Sequence, residues 1–186
     1  MEMCANDLKA ILAAYKQVME ASWPRLHPAM AARSAKWASA AEADLKRELN
    51  EYLNQASAPG CRVRVFWKLL PGFVFGGCNA PMAADAGLRS AAEMVGLDDY
   101  SKRLPWSLQA AKYRADDQGV VTRGVPMLDI VERQQSSAGI AWMRVGKMPI
   151  RRADGTVIGL FGMYEPLDAE EGGRLFVQRQ RQHVAR

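Results

Sequence analysis

The chain has 186 residues, 49% of them hydrophobic and 24% charged, a balance typical of a globular protein with a buried core. This composition excludes a disordered, collagen-like or disulfide-framework protein, and no apolar run reaches the ~18 residues of a membrane-spanning helix. The first twenty residues lack the basic-then-apolar order of a secretory signal. Three cysteines without Cys-x-x-Cys spacing indicate reduced thiols, so we expect a cytoplasmic protein without membrane attachment.

The positive charge is concentrated at the C-terminus. The net charge is +5, and four arginines with no acid lie between residues 174 and 186. A nucleic-acid-binding surface normally concentrates basic residues on the folded domain. We therefore expect no direct nucleic-acid binding.

The N-terminal third predicts two helices. Residues 6 to 22 place apolar side chains at helical spacing on one face, namely Leu8, Ile11, Leu12, Tyr15, Val18 and Met19. A second helix is predicted from Pro28 to about Gln55, and it ends before Ala58-Pro59-Gly60. Residues 1 to 58 therefore form a helical appendage, whose apolar face either covers the following sheet or forms a homodimer.

Residues 61 to 78 predict a β-hairpin around the Pro71-Gly72 turn. The first strand has one face that leans polar, because its apolar residues alternate with Arg62, Arg64, Phe66 and Lys68. Short helices follow over residues 80–86, 90–95 and 107–122, each ended by a glycine.

Three more strands are predicted over residues 127–134, 139–148 and 156–164. The last strand has apolar residues on both faces, as in a strand that is buried on both sides. The order of elements predicts an α+β fold: a five-stranded antiparallel sheet with short helices on one face, preceded by an N-terminal helical hairpin.

Four stretches of the chain, taken in order, resemble a PAS domain. FWKLLPGFVFGGCNAPMAADAGL resembles the opening hairpin and the asparagine-headed helix, with Asn79 at that asparagine. SAAEMVGLDDY resembles the next helix, glycine and acidic turn, and LPWSLQAAKYRADDQGVVTRGVPMLDIVE resembles the long helix and following strand of one bacterial sensory subgroup. GIAWMRVGKMPIRRADGTVIGLFGMYEPL resembles the last two strands. Asn79 itself is expected to cap a helix and tie two loops together, a structural role.

The resemblance covers residues 61–166 as a PAS sensory domain. The residue patterns outside it predict a helical appendage (1–58, capping or dimerisation) before this domain and a basic helix or linker (167–186) after it. The resemblance implies a cytoplasmic signal-transduction domain that binds a small ligand or a partner and relays its state through the flanking helices. We expect a homodimer through the N-terminal helices and the sheet face, without catalysis in this chain. A histidine kinase, a diguanylate cyclase or a transcriptional regulator would be its output, and the sequence does not identify the partner.

PAS domains often hold haem, flavin or a small organic ligand. Haem normally needs an axial histidine, and the two histidines, His27 and His183, lie outside residues 61–166. The light-sensing flavin subgroup carries its reactive cysteine in an asparagine-cysteine-arginine motif on a helix, whereas here Cys78 precedes Asn79 and ends a strand. We expect neither haem nor a photoadduct flavin, leave ordinary flavin binding open, and retain a small organic ligand as a candidate.

The cup between the short helices and the sheet is the candidate ligand site. Apolar walls with one cationic group are typical of small-molecule sites, and Arg144 would bind a carboxylate bidentately. The same side chains could instead fill a core, with Arg144 facing solvent. The predicted lining residues are Phe75, Met94, Trp106, Tyr113, Met127, Ile130, Trp142, Arg144 and Leu160.

The alternative function is a small cup-shaped enzyme, such as an isomerase or dehydratase. It would need a buried acid or base with a shifted pKa, and Asp129 is the strand acid that could point into the cup. Asp116 and Asp117 splay about 100° apart on their helix, so we expect both to be exposed, and we expect Asp98-Asp99 to cap a turn. No catalytic or metal-binding motif is recognised, and no catalytic or metal-ligating residue is predicted.

Overall fold

A computed structural model describes residues 3–22 and 33–184, with side chains as far as residue 180. Five strands form one antiparallel sheet in the order β2-β1-β5-β4-β3. The strands are β1 (Arg64–Leu69), β2 (Val74–Cys78), β3 (Met127–Ser136), β4 (Gly139–Arg151) and β5 (Val157–Leu167). This architecture confirms the predicted α+β fold. The last three strands are longer than predicted.

Five α-helices accompany the sheet in the described part of the chain. They are α1 (Ala5–Ser22), α2 (Glu42–Gln55), α3 (Ala80–Asp85), α4 (Ala110–Arg123) and α5 (Ala169–Val184). Short 3₁₀ helices occupy Trp37–Ser39, Ala91–Met94 and Ser107–Gln109. The prediction of one long second helix ending near Gln55 is wrong within the described residues. Ala40 and Ala41 have extended backbone angles, and α2 starts after them. The predicted start at Pro28 lies outside the described residues.

The outer face of the sheet is covered by α1 and α2. Leu8, Ile11 and Leu12 are fully buried in the same apolar cluster as Val65, Phe161 and other outer-face residues of the sheet. Tyr15 connects the layers, since its ring stacks on Tyr52 of α2 at 5.3 Å and meets Phe161 of β5 edge-on at 5.0 Å. The apolar face of α1 therefore covers its own sheet. The prediction of a homodimer through this face is wrong, because the face is buried against the sheet of its own chain and cannot contact a second copy.

Helices α3 and α4 and the 3₁₀ helices Ala91–Met94 and Ser107–Gln109 pack on the inner face. Asn79 fixes the start of α3, as its Oδ1 accepts hydrogen bonds from the backbone N–H groups of Met82 at 3.3 Å and Val65 at 3.1 Å. Its Nδ2 donates to the carbonyls of Ala56 and Val63. The predicted structural role of Asn79 is confirmed. At the other end of this layer, α4 stops at Gly124, whose φ of 64° suits a residue without a Cβ.

Helix α5 returns to the outer face beside β4. Gly172 lies against Trp142, and a Cβ added there would stand 2.3 Å from two Trp142 atoms. One turn later, the rings of Phe176 and Trp142 are 5.2 Å apart. Asp129, in a β-bulge of β3 with a φ of 59°, pairs with Arg144 at 2.6 Å and lies 3.9 Å from Arg179 of α5. The helix is thus attached to the strands that form the inner site.

Candidate functional site

A cavity of about 30 Å³ lies between the inner face of the sheet and the helical layer. A volume of this size has room for roughly two water molecules. Its walls combine aromatic and apolar side chains with an unusual number of charged ones: Phe66, Lys68, Phe75, Met82, Asp99, Trp106, Tyr113, Glu132, Gln134, Val145, Lys147 and Tyr164.

Four buried charged residues interact at one side of this cavity, and we call them the ionic network: Lys68, Asp99 and Lys147, which line the cavity, and Asp117, which lies behind them. The Lys68 ammonium donates to Asp99 Oδ2 at 2.5 Å and to Asp117 Oδ2 at 2.6 Å. The Lys147 ammonium donates to Asp117 Oδ1 at 2.5 Å. Each of the four residues is at most 3% exposed, so the two positive and two negative charges compensate each other with little help from water.

The network joins four separate parts of the fold. Lys68 is on β1, directly after a register shift in its pairing with β2, and Lys147 is on β4. Asp117 comes from the middle of α4, and Asp99 comes from the irregular segment before α4. The Lys68 ammonium also lies 4.9 Å from the centre of the Phe75 ring and 5.5 Å from that of Phe66, close enough for cation–π attraction.

The network keeps Lys68 and Asp117 ionised. Burial opposes the charged form of Lys68, but Asp117 and Asp99 outweigh burial and raise the pKa of the ammonium group. Burial likewise opposes the charged form of Asp117, but Lys68 and Lys147 outweigh it and lower the pKa of the carboxyl group. Asp117 is therefore a poor proton acceptor near neutral pH, because two ammonium groups already neutralise it.

Lys147 retains unused hydrogen-bonding capacity. An ammonium group has three N–H donors, and within the described chain Lys147 has one acceptor, Asp117. The group is buried and lines the cavity. It can therefore donate to a small molecule in the cavity without leaving Asp117.

A second polar group lines the cavity on the β3 side. Glu132 is buried and pairs with Lys112, a residue of α4 whose side chain is half exposed.

The Tyr164 hydroxyl donates to Asp85 at 3.0 Å, and Asp85 also accepts from Arg64 at 2.9 Å. Burial, followed by the charge of Asp85, raises the pKa of Tyr164 well above its ordinary value, so it stays a neutral phenol.

The structure separates the predicted lining residues into three groups. Phe75, Trp106 and Tyr113 line the cavity. Met94 and Leu160 are buried in the surrounding apolar cluster, with Met127 and Ile130 packed against it, and these four do not line the cavity.

Trp142 and Arg144 require correction. They share a face of β4, as the alternation predicted, but it is the outer face, where Trp142 contacts α5 and Arg144 pairs with Asp129. The inward positions of β4 are Met143, Val145 and Lys147. The cationic groups of the cavity are therefore lysines, and the prediction of an inward Arg144 is wrong.

The ionic network was missed at the sequence level. Asp117 was expected to be an exposed helix acid and Asp99 a turn cap, and both are buried partners of lysine. Lys68 was assigned to a face that leans polar, yet that face looks into the cavity. The available signal was a lysine flanked by apolar residues in each of two central strands, since buried lysines need acidic partners.

The residues that line this cavity lack the side chains that usually ligate haem or form a flavin photoadduct. Among the residues that line it there is no histidine or cysteine to ligate haem as most haem proteins do. Cys78 ends β2 and is absent from the lining, and burial raises the pKa of its thiol to about 12. A photoreactive flavin would need this thiol beside it. The described residues also contain no cluster of histidine, cysteine or acidic side chains that could hold a metal ion.

The fold is that of a PAS domain. The chain is similar in structure to VqmA bound to DPO, with a TM-score of 0.55 and 19% identity over 66% of this chain and 57% of that one. It is equally similar to the Vibrio cholerae VqmA–ligand–DNA complex, with a TM-score of 0.55 and 22% identity over 64% of this chain. The chain spans between half and three fifths of these VqmA chains. No family model and no curated protein matches it.

Single sensory domains match over nearly their full length. A light-oxygen-voltage domain solved with a flavin analogue gives a TM-score of 0.54 at 14% identity and is covered to 96%. The PAS domain of a Colwellia psychrerythraea protein gives 0.50 at 14% identity, also with 96% coverage. These similarities establish the fold, and the structural neighbours are sensory domains and a ligand-binding regulator rather than enzymes.

The expectation that excluded nucleic acid is wrong. VqmA, which shares this fold, is solved in a complex with DNA, so the fold is compatible with a DNA-binding protein. The sequence argument weighed only the basic residues of this chain, which spans about half of the VqmA chains. None of the described helices is long and apolar enough to cross a membrane.

Proposed function

We propose that this protein is a cytoplasmic ligand-sensing domain whose inner cavity binds a small organic molecule. The observation that carries the proposal is the ionic network at the cavity wall. Burying ion pairs costs desolvation energy, and apolar residues of similar volume are often as stabilising or better. Charges placed around a cavity, rather than in a packed core, are therefore better explained by ligand recognition than by stability.

The aromatic side chains and the lysines have different roles in this proposal. Phe75, Trp106 and Tyr113 supply apolar surface on which a planar molecule can lie. Lys147 supplies a hydrogen-bond donor, because it keeps unused N–H groups. Met94, Met127, Ile130 and Leu160 support these walls from behind.

Helix α5 is the proposed route of the signal. Strand β4 presents Lys147 to the cavity and Trp142 to α5, so one strand contacts both. A ligand that binds one arrangement of β4 better than another shifts the population towards it. Through Gly172 and Phe176, this shift would alter how firmly α5 packs on the sheet.

A transcriptional regulator is the output that the comparisons favour among those considered. The VqmA structures are described with ligand, with DNA and as a dimer of a LuxR-type receptor. We propose that this chain likewise reports ligand binding to a DNA-binding element, and that it functions as a homodimer through a surface other than the buried face of α1.

The alternative function as an enzyme depended on Asp129 pointing into the cavity, and it does not. Asp129 lies on the outer side of β3, where its half-exposed carboxylate pairs with Arg144. The buried acid Asp117 is held ionised by two lysines, which is unsuitable for accepting a proton. We therefore propose no second function.

Mass spectrometry of the freshly purified full chain tests the proposal. Native spectra are expected to show a bound small molecule, which denaturation releases for identification. Lys147→Met removes the cavity donor and should lose the added mass, whereas the exposed control Lys102→Met should keep it. An unchanged mass in Lys147→Met would show that the molecule binds elsewhere and would contradict the proposal.

A further inference from the structure

Residues 98–108 form a strap across the cavity between two fixed points. At one end, Phe75 of β2 exchanges backbone hydrogen bonds with Gly96 and Leu97, at 2.8 and 2.7 Å. At the other end, the Gln109 side chain donates to the Arg133 carbonyl and accepts from the Gln135 N–H, both on β3. Both ends of the strap are therefore attached to the sheet.

Between these points the strap is attached by side chains. The backbone N–H groups of Ser101, Leu104 and Ser107 donate to carbonyls three residues earlier. Within the described chain, no backbone hydrogen bond joins residues 98–106 to the sheet or to α4. A segment held in this way can move without breaking a strand or a helix.

Asp99 is the buried polar attachment of the strap. Its carboxylate lies 2.5 Å from the Lys68 ammonium, and both side chains are 2% exposed. The contacts of Asp98 with Arg114 and of Arg103 with Glu93 are nearer the surface. The cavity has room for roughly two waters, so a larger molecule can enter only if a wall moves, and the strap is a wall without backbone hydrogen bonds to the sheet at residues 98–106. Admission therefore separates Asp99 from Lys68, and closure brings them together again.

The charges around the cavity are balanced. Lys68 and Lys147 are matched by Asp99 and Asp117. The fifth charged group at the wall, Glu132, is matched by Lys112, which reaches solvent. A charged ligand enclosed here would carry a charge without a counterion in a dry interior, which is strongly unfavourable. An uncharged ligand that accepts a hydrogen bond leaves the balance intact.

We propose that Asp99 determines the charge of the ligand. With Asp99 present the closed cavity selects uncharged molecules, and without its charge the two lysines face one carboxylate and the cavity selects monoanions. This inference rests on the proposed ligand-sensing function, since it concerns the same cavity. It makes Asp99 a specificity-determining residue rather than only a structural partner of Lys68.

Three probes of similar shape separate charge from size: benzamide, benzoate and benzamidine, titrated calorimetrically into the full chain. The wild-type protein should bind benzamide at least about tenfold more tightly than either charged probe, a difference of about 1.4 kcal/mol in binding free energy. Asp99→Asn should strengthen benzoate binding by about tenfold or more and leave benzamide within about threefold. Asp98→Asn, a change in the neighbouring and more exposed acid, should alter neither.

A double variant guards against a local folding defect. Lys68→Met combined with Asp99→Asn removes one charge of each sign, so the preference for benzamide should return. If Asp99→Asn leaves the ratio of benzoate to benzamide affinity unchanged, the role of Asp99 is wrong while the ligand site stands. If none of the probes binds to wild type or variant, the role of Asp99 in charge selection is wrong, and the native mass spectra decide the proposed ligand-sensing function separately.

Discussion

The ammonium nitrogen of Lys68 lies 2.6 Å from Asp117 Oδ2, although the two residues are 49 positions apart and both are buried. This contact connects α4 of the helical layer to β1 beside the cavity. Asp117 is shared with Lys147 of β4, so one carboxylate holds two strands to one helix. The predictions below begin with that carboxylate.

Asp117→Asn should lower the free energy of unfolding by about 3–5 kcal/mol, because Lys147 would be left buried without a counterion. Urea unfolding measures the change. Asp116→Asn on the same helix is the matched control, and it should cost no more than about 1 kcal/mol, since it removes only a partly exposed pair with Lys112. Comparable losses in the two variants would contradict the importance of the network.

The stability of the protein should depend on pH at both ends of the scale. The pKa of Asp117 is lowered in the folded state, so its carboxylate stabilises the fold above an unfolded pKa of about 3.9, and this contribution is lost as the pH falls through the folded pKa. The pKa of Lys68 is raised, so its contribution is complete below about 10.4 and is lost as the pH rises through the folded pKa. Urea unfolding at successive pH values measures both limbs.

Asp117→Asn separates this site from the other carboxyl groups. Below pH ~4 the variant should lose stability less steeply than wild type, by up to about 1.4 kcal/mol per pH unit, which corresponds to one proton. Its alkaline limb should persist, because Lys68 keeps Asp99. An acid limb of unchanged slope would show that folding does not lower the pKa of Asp117.

Gly172→Ala should detach α5 from the sheet. The new Cβ would stand 2.3 Å from Trp142, and the cost of such overpacking is about 1–3 kcal/mol. Because Phe176 would lose its contact with the indole, the fluorescence of Trp142 should change. Gly173→Ala is the neighbouring control, since a Cβ there meets no atom within 4 Å, and it should stabilise the helix slightly. Equal behaviour of the two variants would contradict the close packing at Gly172.

Cys78 should be inert towards thiol reagents in the folded protein. Burial raises the pKa of its thiol to about 12, and the thiolate is the reactive form. A variant that retains only Cys78 should react at pH 8 at least about a hundredfold more slowly than one that retains only the exposed Cys4. Urea should remove the difference. Rapid labelling of Cys78 in the folded protein would contradict the prediction that this thiol is buried and unreactive.

Features that depend on neighbouring residues could be predicted from the sequence. Asn79 was assigned as the residue that caps a helix and ties two loops, because its position at a strand-to-helix junction limits what a short amide can do. The burial of β5 on both sides followed from apolar residues on both of its faces. The five strands and their antiparallel arrangement followed from the order of the elements.

Features that depend on distant pairing could not be predicted in the same way. Lys68 meets Asp99 and Asp117 across 31 and 49 positions, and no local pattern in the chain indicates these partners. Trp142 and Arg144 were correctly placed on one face of a strand, but alternation alone does not say which face looks inward. A shift of one residue in register exchanges the two faces, so Lys147 took the place that Arg144 was expected to fill.

The covering of the outer sheet face by α1 has a consequence for any shortened version of the protein. A chain beginning at residue 61 would keep every strand, yet it would expose Val65, Phe161 and Met163 to water where Ile11, Leu12 and Tyr15 now exclude it. Such a fragment is expected to aggregate through this exposed apolar face. Any shortened version of the protein that keeps the sheet therefore has to keep the first helix as well.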